Sequence, residues 1–215
     1  MKHTWWLLLL LTQQVLAQNP NEPGALDPTY DNVSGNPYLF KDWSDGVIRF
    51  TSGRVLTQFK LKFNSYKNQL ILEFSGSSFA AESKVREFVM YQKSGRNKDS
   101  MIFRKGYPQF EKATEETFYQ VMFEGKITLL RLISKNISEQ REVVGGNVTR
   151  RLEDAEQCFL FRNGKMTPLN YDKSELLDQL ADKSAQLSAY ISAEQIRIRT
   201  AEDIVKVIRK YNELL

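Results

Sequence analysis

Polar and apolar residues alternate over residues 54–64, with Val55, Thr57, Phe59, Leu61 and Phe63 on one side and Arg54, Gln58, Lys60, Lys62 and Asn64 on the other. A period of two belongs to a strand with one face in a core and one in water. Residues 47–50 and the turn Thr51-Ser52-Gly53 come before it, which predicts a hairpin. Residues 68–74, where Leu70, Leu72 and Phe74 alternate, and residues 84–91 predict two more strands. Their short connections make antiparallel neighbours the expectation. The polar stretch 93–100 reads as a break. Beyond it, residues 118–124 and 127–133 flank Gly125-Lys126, and residues 156–162 and 165–169 flank Asn163-Gly164, predicting two further hairpins. Between these, the polar, glycine-bearing residues 136–151 read as an exposed loop or a mobile hairpin.

The period then changes. Asp172 stands three residues before Glu175 in a capping-box pattern, and Leu176, Leu177, Leu180 and Ala181 follow at helical spacing. Leu187, Tyr190 and Ile191 carry that face into a second short helix. Thr200, with Glu202 and Asp203 behind it, opens a third that carries Ile204, Val205, Ile208, Tyr211 and Leu215. The whole pattern predicts an α+β fold. Its antiparallel β meander of hairpins, roughly seven to nine strands, fills residues 38–171, and a helical segment over residues 172–215 packs on it.

The N-terminus follows another logic. Met1-Lys2-His3 is positively charged, an apolar run extends from Trp5 to Leu11, and Val15-Leu16-Ala17 supplies small residues at a cleavage point. Residues 1–17 are therefore expected to be a signal peptide cut after Ala17, which directs the chain to the periplasm or the medium. The run is shorter than the roughly 20 residues that cross a bilayer as a helix, and no later window is apolar enough, so no transmembrane helix is expected. Residues 18–37, rich in Asn, Pro, Gly and Asp without apolar periodicity, read as a flexible leader. The folded body begins at Tyr38.

Composition narrows the chemistry. Hydrophobic residues make up 41% of the chain, enough for a core without covalent staples. Cys158 is the one cysteine, so no internal disulfide can form, and its strand-like surroundings make it a small buried hydrophobe. The net charge of +4 is spread among interleaved acids and bases, which favours neither nucleic acid nor a polybasic membrane contact. The one histidine, His3, lies in the expected signal peptide, and its removal rules out His-dependent nucleophiles and metal sites in the mature chain. No phosphate loop, dinucleotide fingerprint or calcium loop can be read. No catalytic, cofactor-binding or metal-ligating residue is assigned.

Carboxylate pairs are the chemistry left over. Asp42 with Asp45, beside Trp43, and Glu115 with Glu116 could serve a glycan hydrolase. Adjacent acids near strand ends are ordinarily solvated surface, so neither pair is taken as a site. Aromatic residues, 12% of the chain, are dense in the β part, among them Phe50, Phe59, Phe63, Phe74, Phe79, Phe88, Phe103 and Phe118. They could line an apolar groove, although core packing accounts for most of them. Arg54, Lys60 and Lys62 could meet an acidic partner, or simply keep a wet sheet face soluble. Asn-x-Ser/Thr triplets at Asn32, Asn136 and Asn147 point to loops.

Two stretches carry a resemblance: Asn36-Pro37-Tyr38-Leu39-Phe40-Lys41-Asp42-Trp43 with Gly46 and Phe50, and a tail running from Leu176-Leu177 through Asp182-Lys183, Tyr190-Ile191 and Glu202-Asp203-Ile204-Val205 to Tyr211-Asn212. In layout the chain resembles a family of uncharacterised exported bacterial proteins of similar length. The resemblance implies a cell-envelope or secreted setting and carries over no catalytic residue. The expectation is a non-enzymatic exported protein that binds a protein or an apolar ligand through its sheet, with a carboxylate-based glycan hydrolase as the alternative.

Overall fold

A computed structural model describes residues 33–81, 84–94, 97–141 and 148–215. The expected signal peptide, most of the leader, Asn32 and Asn147 lie outside the described residues. Among the described residues twelve strands form one sheet: β1 (Val33–Ser34), β2 (Ser44–Phe50), β3 (Val55–Leu56), β4 (Lys60–Asn64), β5 (Gln69–Phe74), β6 (Ser77–Ala80), β7 (Val85–Ser94), β8 (Asn97–Arg104), β9 (Tyr119–Phe123), β10 (Thr128–Arg141), β11 (Val148–Arg162) and β12 (Lys165–Leu169). The helices α1 (Lys173–Gln179), α2 (Ser184–Ala193) and α3 (Ala201–Glu213) follow. The α+β class holds, with more strands than the hydrophobic pattern counts.

The sheet runs β1-β11-β10-β9-β8-β7-β2-β4-β5-β6, with β12 also on β11 and β3 also on β2. It is mixed. Val33 and Ser34, inside the expected leader, pair in parallel with Arg150 and Arg151 of β11, while the other strand pairings are antiparallel. Of the polar stretch 93–100, the described residues 93–94 and 97–100 prove to be the far ends of the paired strands β7 and β8, since Lys93 pairs with Lys98 and Ser94 with Asn97. Of the two readings of residues 136–151, loop or hairpin, the antiparallel one holds for the described residues 136–141 and 148–151, which extend the β10–β11 ladder, and Asn136 is an exposed strand residue opposite Glu153. Backbone pairing needs no apolar side chain, so these polar ends left no pattern to read.

The strand expected over residues 54–64 is broken. Leu56 pairs with Ile48 and Lys60 with Asp45, so residues 57–59 carry one residue more than the two of β2 they span. A one-residue slip exchanges the faces of a strand. Leu56 therefore turns to the core, and Val55, expected there, is 46% exposed.

Three apolar clusters form the core among the described residues. One sets Ile127, Leu129, Cys158 and Leu160 against Leu176, Leu187, Ile204, Ile208 and Tyr211 of the helices. Another, on the opposite side of β10 and β11, gathers Tyr107, Tyr119, Leu130, Phe159 and Met166. Neighbours such as Leu129 and Leu130 face different clusters, which is why these strands read as unbroken apolar runs. The third lies on β2, β4, β5, β7 and β8, where the rings of Phe63, Phe88 and Phe103 pack at centroid separations of 4.9–5.5 Å. Close approach at Gly46 keeps it tight: a Cβ there would lie 2.2 Å from the Val89 carbonyl oxygen and 2.3 Å from Leu61 Cδ1.

Both expected helix caps form. The Asp172 carboxylate accepts from the Glu175 N–H at 2.8 Å, and Thr200 Oγ1 accepts from the Asp203 N–H at 3.3 Å. Asn212 ties α3 to the sheet, accepting from the Ile127 N–H at 3.1 Å and donating to its carbonyl at 3.3 Å. No helix among the described residues is long and apolar enough to cross a membrane.

Candidate functional site

The third cluster is not covered to its end. Leu70, Leu72 and Phe74 share one face of β5, and antiparallel pairing places Phe79 of β6 beside Leu72 on that face. Leu70 and Leu72 are buried, yet Phe74 is 45% and Phe79 44% exposed. Phe59, in the break between β3 and β4, closes the group with its ring centroid 5.1 Å from Phe74 and 6.1 Å from Phe79. Two aromatic rings, Phe74 and Phe79, thus stand half in water on the inner face of the sheet at its corner, with the partly buried Phe59 packed against both.

The hairpin that carries them is locally determined. Ser75 and Gly76 both have positive φ, 52° and 80°, the two-residue turn that suits the twist of paired strands. Glu73 accepts the Gly76 N–H at 2.9 Å and fixes the turn. Phe74-Ser75-Gly76-Ser77 carried this signal in the sequence, but Ser77 to Ala80 has only one large apolar residue, and β6 was not expected.

β6 ends the sheet among the described residues. It contains Ser77, Ser78, Phe79 and Ala80, with no charge and no proline, the usual guards of an exposed edge. β12, an outer strand at the other end of the sheet, is guarded: it bears Lys165 and Pro168, and Gln179 of α1 donates to the Pro168 carbonyl at 2.8 Å.

Other candidate residues come out differently. Asp45 is engaged by Lys60 and Glu116 by Lys105, while Asp42 and Glu115 are exposed. All four carboxylates are exposed, and one member of each pair is engaged in an ion pair. Lys62 Nζ sits over the rings of Tyr38, at 4.8 Å, and Trp43, at 5.2 Å, and binds residues 38–43 to β4. Burial there pushes its ammonium below the ordinary lysine range, against the pull of Asp42. Arg54 lies over Phe50 at 4.5 Å.

Cys158 is buried, and burial raises its thiol. Its neighbour Tyr171 is also held protonated, by burial and by its hydrogen bond to Glu156, so this cluster offers no reactive thiolate.

An open cleft of about 480 Å³ between α2 and α3 is lined by Arg197, Arg199 and Lys206, and also by Glu194 and Asp203. Asp203 pairs with Lys206 at 3.1 Å and accepts the Arg199 N–H at 3.3 Å, so a carboxylate of the chain already serves this helix start. Among the described residues no three His, Cys, Asp or Glu side chains are grouped to hold a metal.

Compared with known proteins, the chain matches no family model, no curated protein and no solved structure.

Proposed function

We propose that this is a non-enzymatic exported protein that binds an apolar ligand, or the apolar side chains of a protein segment, at the β5–β6 corner. The half-exposed rings of Phe74 and Phe79, packed on the partly buried Phe59, carry the reading. Such rings offer a large contact area already ordered by the sheet, and little side-chain freedom is lost when they are covered. Export is supported by the charged start, the apolar run Trp5 to Leu11 and the small residues before Gln18. The cell-envelope setting implied by the resemblance agrees with it.

The test uses the purified full chain and the apolar dye anilinonaphthalene sulfonate. The wild type is expected to bind it saturably, and F74S/F79S to bind at least about tenfold more weakly with an unchanged circular dichroism spectrum. Equal binding by both proteins would refute the reading. So would hydrolysis of a glycan at a rate abolished by changing Asp42 or Glu115.

A further inference from the structure

We propose that two copies of the chain pair antiparallel through β6, edge to edge, joining their aromatic corners into one apolar strip across a two-fold axis. The inference rests on the binding role assigned to that corner and names what completes it.

The free hydrogen-bonding groups follow from the hairpin. A two-residue turn makes Phe74 and Ser77 a hydrogen-bonded pair, and the alternation of an antiparallel ladder makes Leu72 and Phe79 the next. The Ala81 N–H, 2.8 Å from the Leu70 carbonyl, keeps that rhythm. Ser78 and Ala80 therefore aim their N–H and C=O groups away from β5, where no described strand lies. An edge of this kind is a template for another strand.

The strand that fits is β6 itself. It carries no charge, so an identical strand brings no like charges face to face. Ser78 and Ala80 are small and stand on the face opposite Phe79. Antiparallel pairing of identical strands places the two-fold axis normal to the sheet, and such an axis keeps the inner faces of both copies on one side. Phe79 of one copy then neighbours Phe79 of the other, and Phe74 and Phe59 extend the strip outward on each side.

Sedimentation equilibrium of the full 215-residue chain tests this, together with S78P and A80K. Proline at position 78 deletes an outward N–H that β5 does not use, and lysine at position 80 sets like charges near the axis. Both changes enter twice in the dimer. The wild type is expected to dimerise, with its Ser78 and Ala80 amides protected from hydrogen exchange as concentration rises. Each variant is expected to dissociate at least about tenfold more readily while keeping a native circular dichroism spectrum. A wild type that stays monomeric, or a dimer indifferent to both substitutions, overturns the proposal. Dye binding separates the two ideas. A dimer sensitive to both substitutions but unable to bind dye sustains the pairing and removes the proposed function, whereas a dye-binding monomer does the reverse.

Discussion

Tyr119 lies between Tyr107 and Phe159, with ring centroids 5.8 and 5.7 Å away, and is fully buried. Its hydroxyl meets no hydrogen-bond partner among the described residues. A hydroxyl removed from water without a partner costs about 1–3 kcal/mol, whereas the ring keeps its packing when the oxygen is deleted. Tyr119→Phe is therefore expected to stabilise the protein by about 1 kcal/mol or more, a rise of roughly 2–4 °C in Tm for a domain of this size.

A second measurement tests the same cause. Burial pushes the Tyr119 hydroxyl from 10.0 up to about 12. With the folded pKa above the unfolded one, the folded state holds the proton longer. This contribution is intact below the unfolded value and is lost as pH rises from it through the folded value. At about pH 11 the wild type should have lost a further ~1.4 kcal/mol relative to the variant. Urea unfolding followed by circular dichroism at neutral and alkaline pH measures both terms. A variant less stable than the wild type by about 1 kcal/mol at neutral pH, or a gap that fails to widen with alkali, would refute the reasoning.

Gly46→Ala is expected to cost about 3 kcal/mol in urea unfolding, because the new Cβ meets the Val89 carbonyl, which the β2–β7 ladder holds in place. Arg104 joins Glu87 at 2.6 Å and Glu124 at 2.6 Å, and Glu87 also holds Arg49 at 3.0 Å. Arg104→Met should cost about 2 kcal/mol at neutral pH, less than a fully buried pair because Glu124 is largely exposed. The hydrogen bond from Arg104 depresses the Glu124 carboxyl, so the stability it contributes is present above the ordinary carboxylate range and lost as pH falls through the folded value. The deficit of the variant should shrink in acid, which a pH series of urea melts would show. Asn212→Ala strips the buried Ile127 N–H of its acceptor and should cost about 2 kcal/mol, with amide exchange at Ile127 as the local readout.

Local signals were legible in the sequence and tertiary ones were not. The caps at Asp172 and Thr200 and the turn at Asn163-Gly164 are chemistry between near neighbours, and they form where the residues place them, whereas the connection around Gly125-Lys126 is longer, pairing Phe123 with Leu129, and is bonded to Asn212 of α3. The alternation over residues 54–64 was real too, but a bulge at 57–59 leaves almost no mark on a pattern of period two, and it moved Val55 out of the core. The polar ends of the β7–β8 and β10–β11 strand pairs are held by backbone ladders and cross-strand ions such as Lys135 with Asp154, at 2.6 Å, to which apolar periodicity is blind. Phe74 and Phe79 look in the sequence like any other strand aromatics. Their exposure depends on where the sheet stops, which no local pattern records.

The parallel pairing of β1 with β11 has a consequence in time. Ser34 Oγ donates to the Arg150 carbonyl 116 residues along the chain, so this contact closes a very long loop and is rewarded only by strand β11 already in place. The β10–β11 ladder, whose strands are near neighbours in the sequence, is the platform. Strand β1 is therefore expected to dock on it late in folding and to open early, which early hydrogen exchange of the Val33 and Ser34 amides relative to the β10–β11 ladder would show.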